Sequence, residues 1–306
     1  MDTRTDIRTD ITTAIISLIE QGQARGEGCL WDAAGRFGMP INYRTKREYS
    51  GVNVLLLLGE VHARGLERNE WLTFKQALEL GAKVKKGAKG VMGVFCKMLP
   101  KKGAAHAQPT QDDASAQSMA AMLKPFWVFN VADIEGLPEV VQARPAFEPI
   151  AEAERLLQAS GADITWDGLR AFYRVDTDTI HMPTRERFSK PVNAYAVALH
   201  ELTHWTGHES RLAREFSGRF GDEAYAFEEL VAELGSAFLV ARLGLKGARL
   251  ENHANYVQSW LKVLRNDKSA IFTASRSASA AYQFILQKAG VTEMTDTVEV
   301  VEANAC

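Results

Sequence analysis

The chain has 306 residues, of which 46% are hydrophobic and 24% charged, and its formal net charge is −2. This length and composition predict an ordinary globular protein of two domains, each long enough to bury its own core. The longest apolar run, VNVLLLLGEV, is far shorter than the ~18 residues of a membrane helix, and the N-terminus is acidic where a secretory signal is basic, so we expect a cytoplasmic protein without a membrane partner.

The first half of the chain is predicted to mix helices and strands. Residues 5–22 have the period of an amphipathic helix, with isoleucines on one side. The run 52–61 fits either a buried strand or a helix segment, and periodicity does not decide between them. Thr73 is expected to cap a short helix that stops at Gly81. A basic turn then leads into an apolar strand, and a second strand is predicted to begin at Pro125.

Two stretches interrupt this pattern. Residues 103–122 are dominated by Ala, Gln and Ser, which can bury almost nothing, so they are predicted to form a disordered loop between two strands. The stretch 138–152 carries three prolines and is the better candidate for a domain boundary. We therefore divide the chain into an N-terminal domain, residues 1–145, and a C-terminal domain, residues 146–306.

The second half is predicted to contain strands first and helices afterwards. Residues 164–183 alternate between apolar and polar residues around Asp-Gly and Asp-Thr-Asp turns, which indicates a small antiparallel sheet. Helical segments follow at about 190–208, 222–243, 250–265 and 267–289. This order of elements is typical of an α+β fold.

The stretch HELTH, residues 200–204, fits the H-E-x-x-H zinc pattern. On a helix, His200 and His204 lie on one face and can bind the same ion. Glu201 then lies beside the metal, where it can take a proton from water as a general base. The longer pattern H-E-x-x-H-x-x-G-x-x-H does not fit, because Ser210 stands where its third histidine would be.

The third ligand is therefore expected to be a carboxylate from a following helix, which offers Glu228, Glu229 and Glu233. Because Glu229 and Glu233 are four residues apart, they share a helix face flanked by small residues. We predict that Glu229 ligates the metal and that Glu233 accepts a hydrogen bond from a ligating histidine. Two histidines and one glutamate leave a position open for water, as in catalytic sites. The predicted cofactor is one divalent metal, zinc, with manganese as the alternative.

Four other side chains near the motif are candidates for secondary roles. His208, one turn beyond His204, is a candidate to contact substrate or to support a ligand, and a solvated histidine at the helix end is the favoured interpretation. Tyr195, Tyr225 and His253 can each stabilise an oxyanion, and their spacing does not choose among them. Packing is the simpler interpretation for each.

Residues 36–102 are strongly basic, with 14 Lys and Arg against 5 Glu, a net charge of +9. Aromatic residues are interleaved with these charges, as expected of a surface that binds single-stranded nucleic acid, since phosphates need positive charge and bases need flat rings. The predicted DNA contacts are Lys46, Arg47, Tyr49, Trp71, Lys75, Lys85, Lys86 and Lys89. Further aromatic residues in or beside the region are Trp31, Phe37, Tyr43, Phe74 and Phe95.

The N-terminal half resembles the single-stranded-DNA-binding domain of ArdC-type plasmid antirestriction proteins, also found in TraC-type conjugative primases, in the segments PINYRTKREYSGVNVLLLL, WLTFKQALELGAKVKKGAKG and FWVFNVADIEGLP. The C-terminal half resembles the zincin-like metallopeptidase domain that follows it in ArdC, in the segments HELTHWTGHESRL and FEELVAELGSAFL. The resemblance implies a protein that helps incoming conjugative plasmid DNA survive host restriction. It also implies a metal held by His200, His204 and Glu229, with Glu201 as the catalytic base.

Two hypotheses remain open at this point. In the first, the protein is a metal-dependent peptidase that acts on a DNA-bound protein, such as a component of the host restriction system. In the second, it shields single-stranded DNA without catalysis, and its metal is structural. They differ over Glu201, since only the first requires its carboxylate.

Overall fold

The structure is a computed structural model, and it describes residues 6–24, 34–100, 119–137, 149–214, 223–248 and 254–291. Within these ranges the chain contains both helices and strands, which confirms the predicted α+β class. None of the helices in the described ranges is long and apolar enough to cross a membrane.

The first half of the described chain contains both kinds of element. Its helices are α1 (Ile7–Ala24), α2 (Ala34–Phe37), α3 (Val52–Arg64) and α4 (Phe74–Glu79). Its strands are β1 (Ile41–Asn42), β2 (Glu70–Leu72), β3 (Lys83–Val84), β4 (Val91–Pro100), β5 (Met119–Asn130) and β6 (Ile134–Glu135).

The second half begins with a helix and three strands and continues with four longer helices. Its helices are α5 (Pro149–Ser160), α6 (Pro191–Trp205), α7 (Glu223–Leu243), α8 (Ala254–Asn266) and α9 (Ala270–Lys288). Its strands are β7 (Asp163–Gly168), β8 (Phe172–Arg174) and β9 (Thr179–Pro183). The four helical segments predicted after residue 190 are all confirmed.

Local signals explain the ends of two helices in the first half. The ambiguous apolar run is the helix α3, and it stops at Gly65, whose φ of 63° is left-handed and favours glycine. Thr73 caps α4 as predicted, because its hydroxyl accepts a hydrogen bond from the backbone N–H of Gln76 at 3.2 Å. The side chain of Gln76 accepts one from the backbone N–H of Thr73 at 3.0 Å, which completes a capping box.

The largest sheet has the strand order β1-β2-β5-β4, with β4 and β5 antiparallel along their whole length. Strand β5 begins at Met119, earlier than the predicted start at Pro125, because its backbone pairs with β4 all the way to Pro100. Residues 119–122 of the predicted disordered loop therefore belong to a strand, and residues 103–118 lie outside the described ranges. At the outer edge of β4, the Asn53 side chain bonds to both the N–H and the C=O of Val94, at 2.8 and 2.9 Å.

The small sheet of the second half has the order β7-β9-β8. Strands β8 and β9 are antiparallel, but β7 pairs with β9 in parallel, so the prediction of a wholly antiparallel sheet is wrong for β7. The alternation of side chains has the same period of two in both kinds of sheet. A sequence pattern of this kind predicts strands without predicting their relative direction.

One hydrophobic core contains residues from both halves, in contrast to the expectation of a separate core for each domain. Ile15 of α1, Leu55 of α3, Phe238 of α7 and Ile285 of α9 belong to the same buried cluster. Two smaller clusters lie in the first half, one around Leu72 and Ile134 and one around Trp71 and Val128. The predicted boundary lies mostly outside the described ranges, which omit residues 138–148.

Candidate metal centre and nucleic-acid interface

The candidate metal centre lies between α6 and α7. Helix α6 begins with a proline at its first turn and places His200 and His204 one turn apart on the same face. Helix α7 approaches α6 closely because Gly235 has no side chain: a Cβ there would lie 2.5 Å from Cγ2 of Thr203. The Thr203 side chain is held by a 2.8 Å hydrogen bond from its hydroxyl to the carbonyl of Leu199.

Glu229 of α7 faces both histidines. Its Oε2 lies 3.6 Å from Nε2 of His200, and its Oε1 lies 3.6 Å from Nε2 of His204. One candidate ligand atom from each of the three residues lies within 4.8 Å of the others. Zinc bonds of ~2.0–2.1 Å in a tetrahedron place ligand atoms ~3.3 Å apart. The two 3.6 Å distances from Glu229 are close to this spacing, and the full set would draw closer around an ion.

The charges around these residues favour a cation. Burial opposes the charged form of His204, but hydrogen bonds with Glu228 and Glu229 outweigh it and raise the pKa of the imidazole to about 10. Burial likewise opposes ionisation of Glu229, but hydrogen bonds with His200 and His204 lower the pKa of this carboxyl well below its usual range. The donor set and its charge therefore suit a divalent metal.

Glu201 is buried next to this group, with 7% of its surface exposed. Burial raises the pKa of its carboxyl, while the two histidines act in the opposite direction and Glu229 adds to the increase. The backbone N–H of Tyr173, in the edge strand β8, also hydrogen-bonds to this carboxylate. A carboxylate with a raised pKa in a buried site is suited to accept a proton.

Two further glutamates on α7 face the outer nitrogens of the histidine rings. Glu228 Oε1 lies 3.1 Å from Nδ1 of His204, within hydrogen-bond distance. Glu233 Oε2 lies 3.8 Å from Nδ1 of His200, the position predicted for it, but beyond hydrogen-bond distance. Glu228 is therefore the residue that faces Nδ1 of His204. The sequence identified Glu228 as a candidate ligand but did not predict this second role.

The remaining candidates near the motif differ in their surroundings. The Tyr195 hydroxyl donates to Glu154 at 2.9 Å and accepts from Arg185 at 2.6 Å. Tyr225 hydrogen-bonds to Glu229, and its hydroxyl lies 3.5 Å from that of Tyr256. Of the two proposed oxyanion groups that the structure describes, Tyr225 is therefore the one that contacts the ligand set. His253 lies outside the described ranges.

Sequence reasoning did not single out Tyr256. It lies in the first turn of α8, a helix remote in sequence from the HELTH motif, so only the folded chain brings it to the site. His208 has the predicted place at the end of the motif helix, half-buried, with Nδ1 2.8 Å from the hydroxyl of Ser210.

The predicted DNA contacts divide into exposed and buried residues. The exposed ones are Lys46, Lys75, Lys85, Lys86 and Lys89, and Arg47 is half-exposed. Trp71 is fully buried against α3, and its indole N–H donates to Asn69 at 2.8 Å, so the prediction that it stacks on bases is wrong. Tyr49 is half-buried and stacks on Phe126, and burial raises the pKa of its phenol to about 12. All three residues of β2 are buried, and Leu72 and Trp71 belong to two different hydrophobic clusters, which charge and composition do not reveal.

Two other aromatic rings are exposed on this part of the molecule. Trp127 on β5 and Phe74 at the start of α4 are each 53% exposed, and α4 contacts β5. Trp127 has the opposite orientation to the buried Val128, as expected for neighbours on a strand. The period of two along FWVF would identify Trp127 as exposed, once the buried face of β5 is known.

Comparisons with known protein families match both halves of the chain. A family model described as the N-terminal domain of anti-restriction factor ArdC matches residues 5–129. A second model, described as a zincin-like metallopeptidase, matches residues 151–277. The chain therefore combines these two domains in the predicted order, and the zincin-like domain supports the presence of a divalent metal.

Relatives and solved structures extend these matches over nearly the whole chain. The crystal structure of antirestriction protein ArdC from plasmid R388 is 36% identical in its metal-free form, covers 94% of this chain and 98% of that chain, and superposes with a TM-score of 0.75. Its Mn(II)-bound form is 34% identical, covers 93% and 98%, and has the same TM-score.

Two bacterial proteins are also similar to this chain. Protein y4eC of Sinorhizobium fredii, which is uncharacterized, is 39% identical over 278 residues, 90% of each chain. DNA primase TraC of Escherichia coli is 38% identical over 258 residues, which are 81% of this chain but 24% of the primase. The similarity to the primase is thus confined to a part of that longer protein.

Proposed function

This chain belongs to the ArdC family of antirestriction proteins, and we propose that it protects incoming conjugative plasmid DNA from host restriction through single-stranded DNA binding and a metal-dependent, peptidase-like site. The observation that carries the proposal is the convergence of His200, His204 and Glu229 on one point with Glu201 buried beside them. The division into domains at residues 1–145 and 146–306 stays part of the proposal, and the two family matches, which end at 129 and begin at 151, support it.

We assign the metal to His200, His204 and Glu229, with zinc as the first candidate and manganese as the alternative. Two imidazoles and a carboxylate accept both ions. The Mn(II)-bound ArdC of plasmid R388 supports the alternative. When bound, a divalent ion would act as a Lewis acid that polarises a carbonyl and acidifies water.

The residues around the ligands supply the remaining chemistry of peptide hydrolysis. Glu201 accepts a proton from the attacking water and passes it to the leaving amine, the two roles of a general base and general acid. The phenol of Tyr225, next to Glu229, is placed to donate a hydrogen bond to the oxyanion that develops from the carbonyl. The partner cleaved would be a DNA-bound protein, such as one of the host restriction system.

Single-stranded DNA binding is assigned to the basic side of the N-terminal half. The exposed lysines Lys85, Lys86 and Lys89 follow α4, and the exposed rings of Phe74 and Trp127 lie on α4 and on the strand that it contacts. Positive charge attracts the phosphates and flat rings stack on unpaired bases, without sequence preference. The relationship to the TraC primases supports a role in DNA binding.

The test is the delivery of unmodified plasmid DNA into a restricting host that expresses the wild-type protein or the Glu201→Gln variant at matched levels. We expect protection to be lost in Glu201→Gln while metal content and single-strand affinity stay at wild-type values. The control is Glu209→Gln, an exposed acid just beyond the motif helix. Unchanged protection in Glu201→Gln would reject the catalytic role and favour a protein that shields DNA, with a structural metal.

A further inference from the structure

Arg214, in the turn after α6, forms an ion pair with Glu228, the carboxylate that faces Nδ1 of His204. Arg214 Nε donates to Oε2 of Glu228 at 3.0 Å, and Arg214 Nη2 donates to Oε1 of the same carboxylate at 2.9 Å. The two side chains are 10% and 9% exposed. A bidentate pair of this kind fixes both the position and the plane of the carboxylate.

The fixed carboxylate is also the one that faces His204. Oε1 of Glu228 lies 3.1 Å from Nδ1 of His204, while Nε2 of the same ring points to Glu229. A proton held on Nδ1 by Glu228 leaves Nε2 with its lone pair towards the ion. Arg214, Glu228 and His204 therefore form one continuous chain that ends at the candidate ligand atom.

Arg214 is itself held from the side of α6. Its Nη1 donates to the hydroxyl of Thr206 at 2.8 Å, and its Nη2 donates to the carbonyl of Thr203 at 2.7 Å. The guanidinium is thus attached to the end of the helix that carries His204 and to the helix that carries Glu229. Rotation of the Glu228 carboxylate would break the contacts to the guanidinium and the imidazole together.

The other histidine has no equivalent support among the described residues. Nδ1 of His200 is buried without a hydrogen-bond partner in this part of the chain, and the nearest carboxylate oxygen, from Glu233, is at 3.8 Å. The two histidine ligands are therefore oriented differently, one by a hydrogen-bonded chain and one by packing and a weaker electrostatic contact.

We propose that Arg214 is a positioning residue of the metal centre, which acts through Glu228 to hold the ring of His204 in its ligating orientation. The inference rests on the proposed metal function of this site. Outer partners of ligating histidines typically change metal affinity by ~10–100-fold when they are removed. Neither the H-E-x-x-H pattern nor the spacing of the acids on α7 identifies Arg214, because it lies on a turn outside both.

The test measures zinc and Mn²⁺ affinity of the full chain by competition titration and calorimetry, for the wild type and for Arg214→Met, Arg214→Lys and Arg211→Met. Arg211 is the matched control: its side chain is also 10% exposed and ion-paired in the same turn, but to Asp178. We expect metal affinity to fall ~10–100-fold in Arg214→Met, to fall less in Arg214→Lys, which keeps the charge, and to stay at the wild-type value in Arg211→Met.

A double-mutant cycle separates positioning from a general loss of structure. If Arg214 acts through Glu228, Arg214→Met has little further effect on metal affinity in a Glu228→Gln background. The melting temperature of the metal-free protein is expected to fall by a similar amount in Arg214→Met and Arg211→Met. Equal metal affinities in those two variants, or full additivity in the cycle, would overturn the proposal. Should Arg214→Met fail to fold, Arg214→Lys completes the same cycle.

The same titration distinguishes this inference from the proposed function. A wild-type chain that binds neither zinc nor Mn²⁺ would overturn the metal function itself, and with it the role of Arg214. A wild-type chain that binds metal, with Arg214→Met unchanged, would overturn only the positioning role.

Discussion

The metal centre and the basic face of the N-terminal half place charged residues in opposite surroundings. At the metal centre, Glu201 and Glu229 are buried among helices, and their partners lie within a few ångströms. On the basic face, Lys85, Lys86 and Lys89 are exposed to solvent, and so is the ring of Trp127. The buried glutamates need hydrogen-bond and ion-pair partners within the protein, whereas the exposed lysines can bind a second molecule.

The two regions are expected to tolerate substitutions to different degrees. A buried charge that loses its partner has a large desolvation cost, because water cannot replace that partner. An exposed lysine that loses a neighbour is solvated instead, and a single surface ion pair contributes less than ~1 kcal/mol. We therefore expect sharp, position-specific effects at the metal centre and small, graded effects on the basic face.

The largest effect is expected for Glu229→Ala. Because Glu229 faces both histidines, its removal takes away a ligand and leaves two neighbouring imidazoles without their shared carboxylate. Since the loss of an outer partner alone costs ~10–100-fold in metal affinity, we expect a loss of more than ~100-fold here. The measurement is zinc and manganese content after dialysis, together with calorimetric affinity.

The exposed Glu209 provides the control for this substitution, because Glu209→Ala removes the same charge near the motif without touching the ligand set. Its metal content is expected to equal that of the wild type. Full retention of metal in Glu229→Ala would contradict the assignment and would point to Glu228 or Glu233 as the third ligand.

Two helical glycines allow the two regions to be compared by stability. A Cβ on Gly235 would lie 2.5 Å from Cγ2 and 2.9 Å from Oγ1 of Thr203, a β-branched side chain that cannot turn away without losing its hydrogen bond. We expect Gly235→Ala to force α6 and α7 apart and to lower the free energy of unfolding by ~1–3 kcal/mol.

Gly59 in α3 is the matched case in the N-terminal half. A Cβ there would lie 2.7 Å from Cδ1 of Leu18, the movable end of a flexible side chain. Because alanine also favours a helix over glycine by ~1 kcal/mol, Gly59→Ala is expected to change stability by less than ~1 kcal/mol in either direction. Chemical denaturation measures the free energy of unfolding of both variants. Equal losses of stability would show that the packing around Gly59 is as rigid as the packing around Gly235.

Within the basic half, an exposed and a buried tryptophan are expected to respond differently to substitution. Trp127→Ala is expected to weaken binding of a single-stranded oligonucleotide by ~1–3 kcal/mol, the usual contribution of one stacked base. Trp71→Phe is expected to leave that affinity unchanged and to lower stability, because Trp71 is buried and its N–H bonds to Asn69. Fluorescence anisotropy over a range of salt concentrations measures both, and an effect of Trp71→Phe alone would invert our assignment of the two rings.

The same contrast explains what the sequence could predict. His200 and His204 follow from helical spacing alone, and the acids of α7 follow from their presence on an apolar helix, so local rules suffice to list these candidates. The roles of Glu228 and Arg214 depend on how α7 and the turn after α6 meet, which no local pattern records. Trp71 and Trp127 are both aromatic and flanked by strand residues, and only the folded sheet decides which of them is exposed.

A modest effect is expected for a feature of the basic half that the sequence does predict. Thr73 caps α4 and so fixes the helix that carries Phe74 and Lys75. Thr73→Ala removes the acceptor for the Gln76 N–H and is expected to lower the free energy of unfolding by ~1 kcal/mol, whereas Thr73→Ser keeps the hydroxyl and most of the stability. Denaturation of the two variants checks this, and an equal loss in Thr73→Ser would mean that the methyl group, not the cap, stabilises α4. Because the cap acts on backbone groups at one helix end, Thr73→Ala should perturb the metal centre far less than Gly235→Ala does.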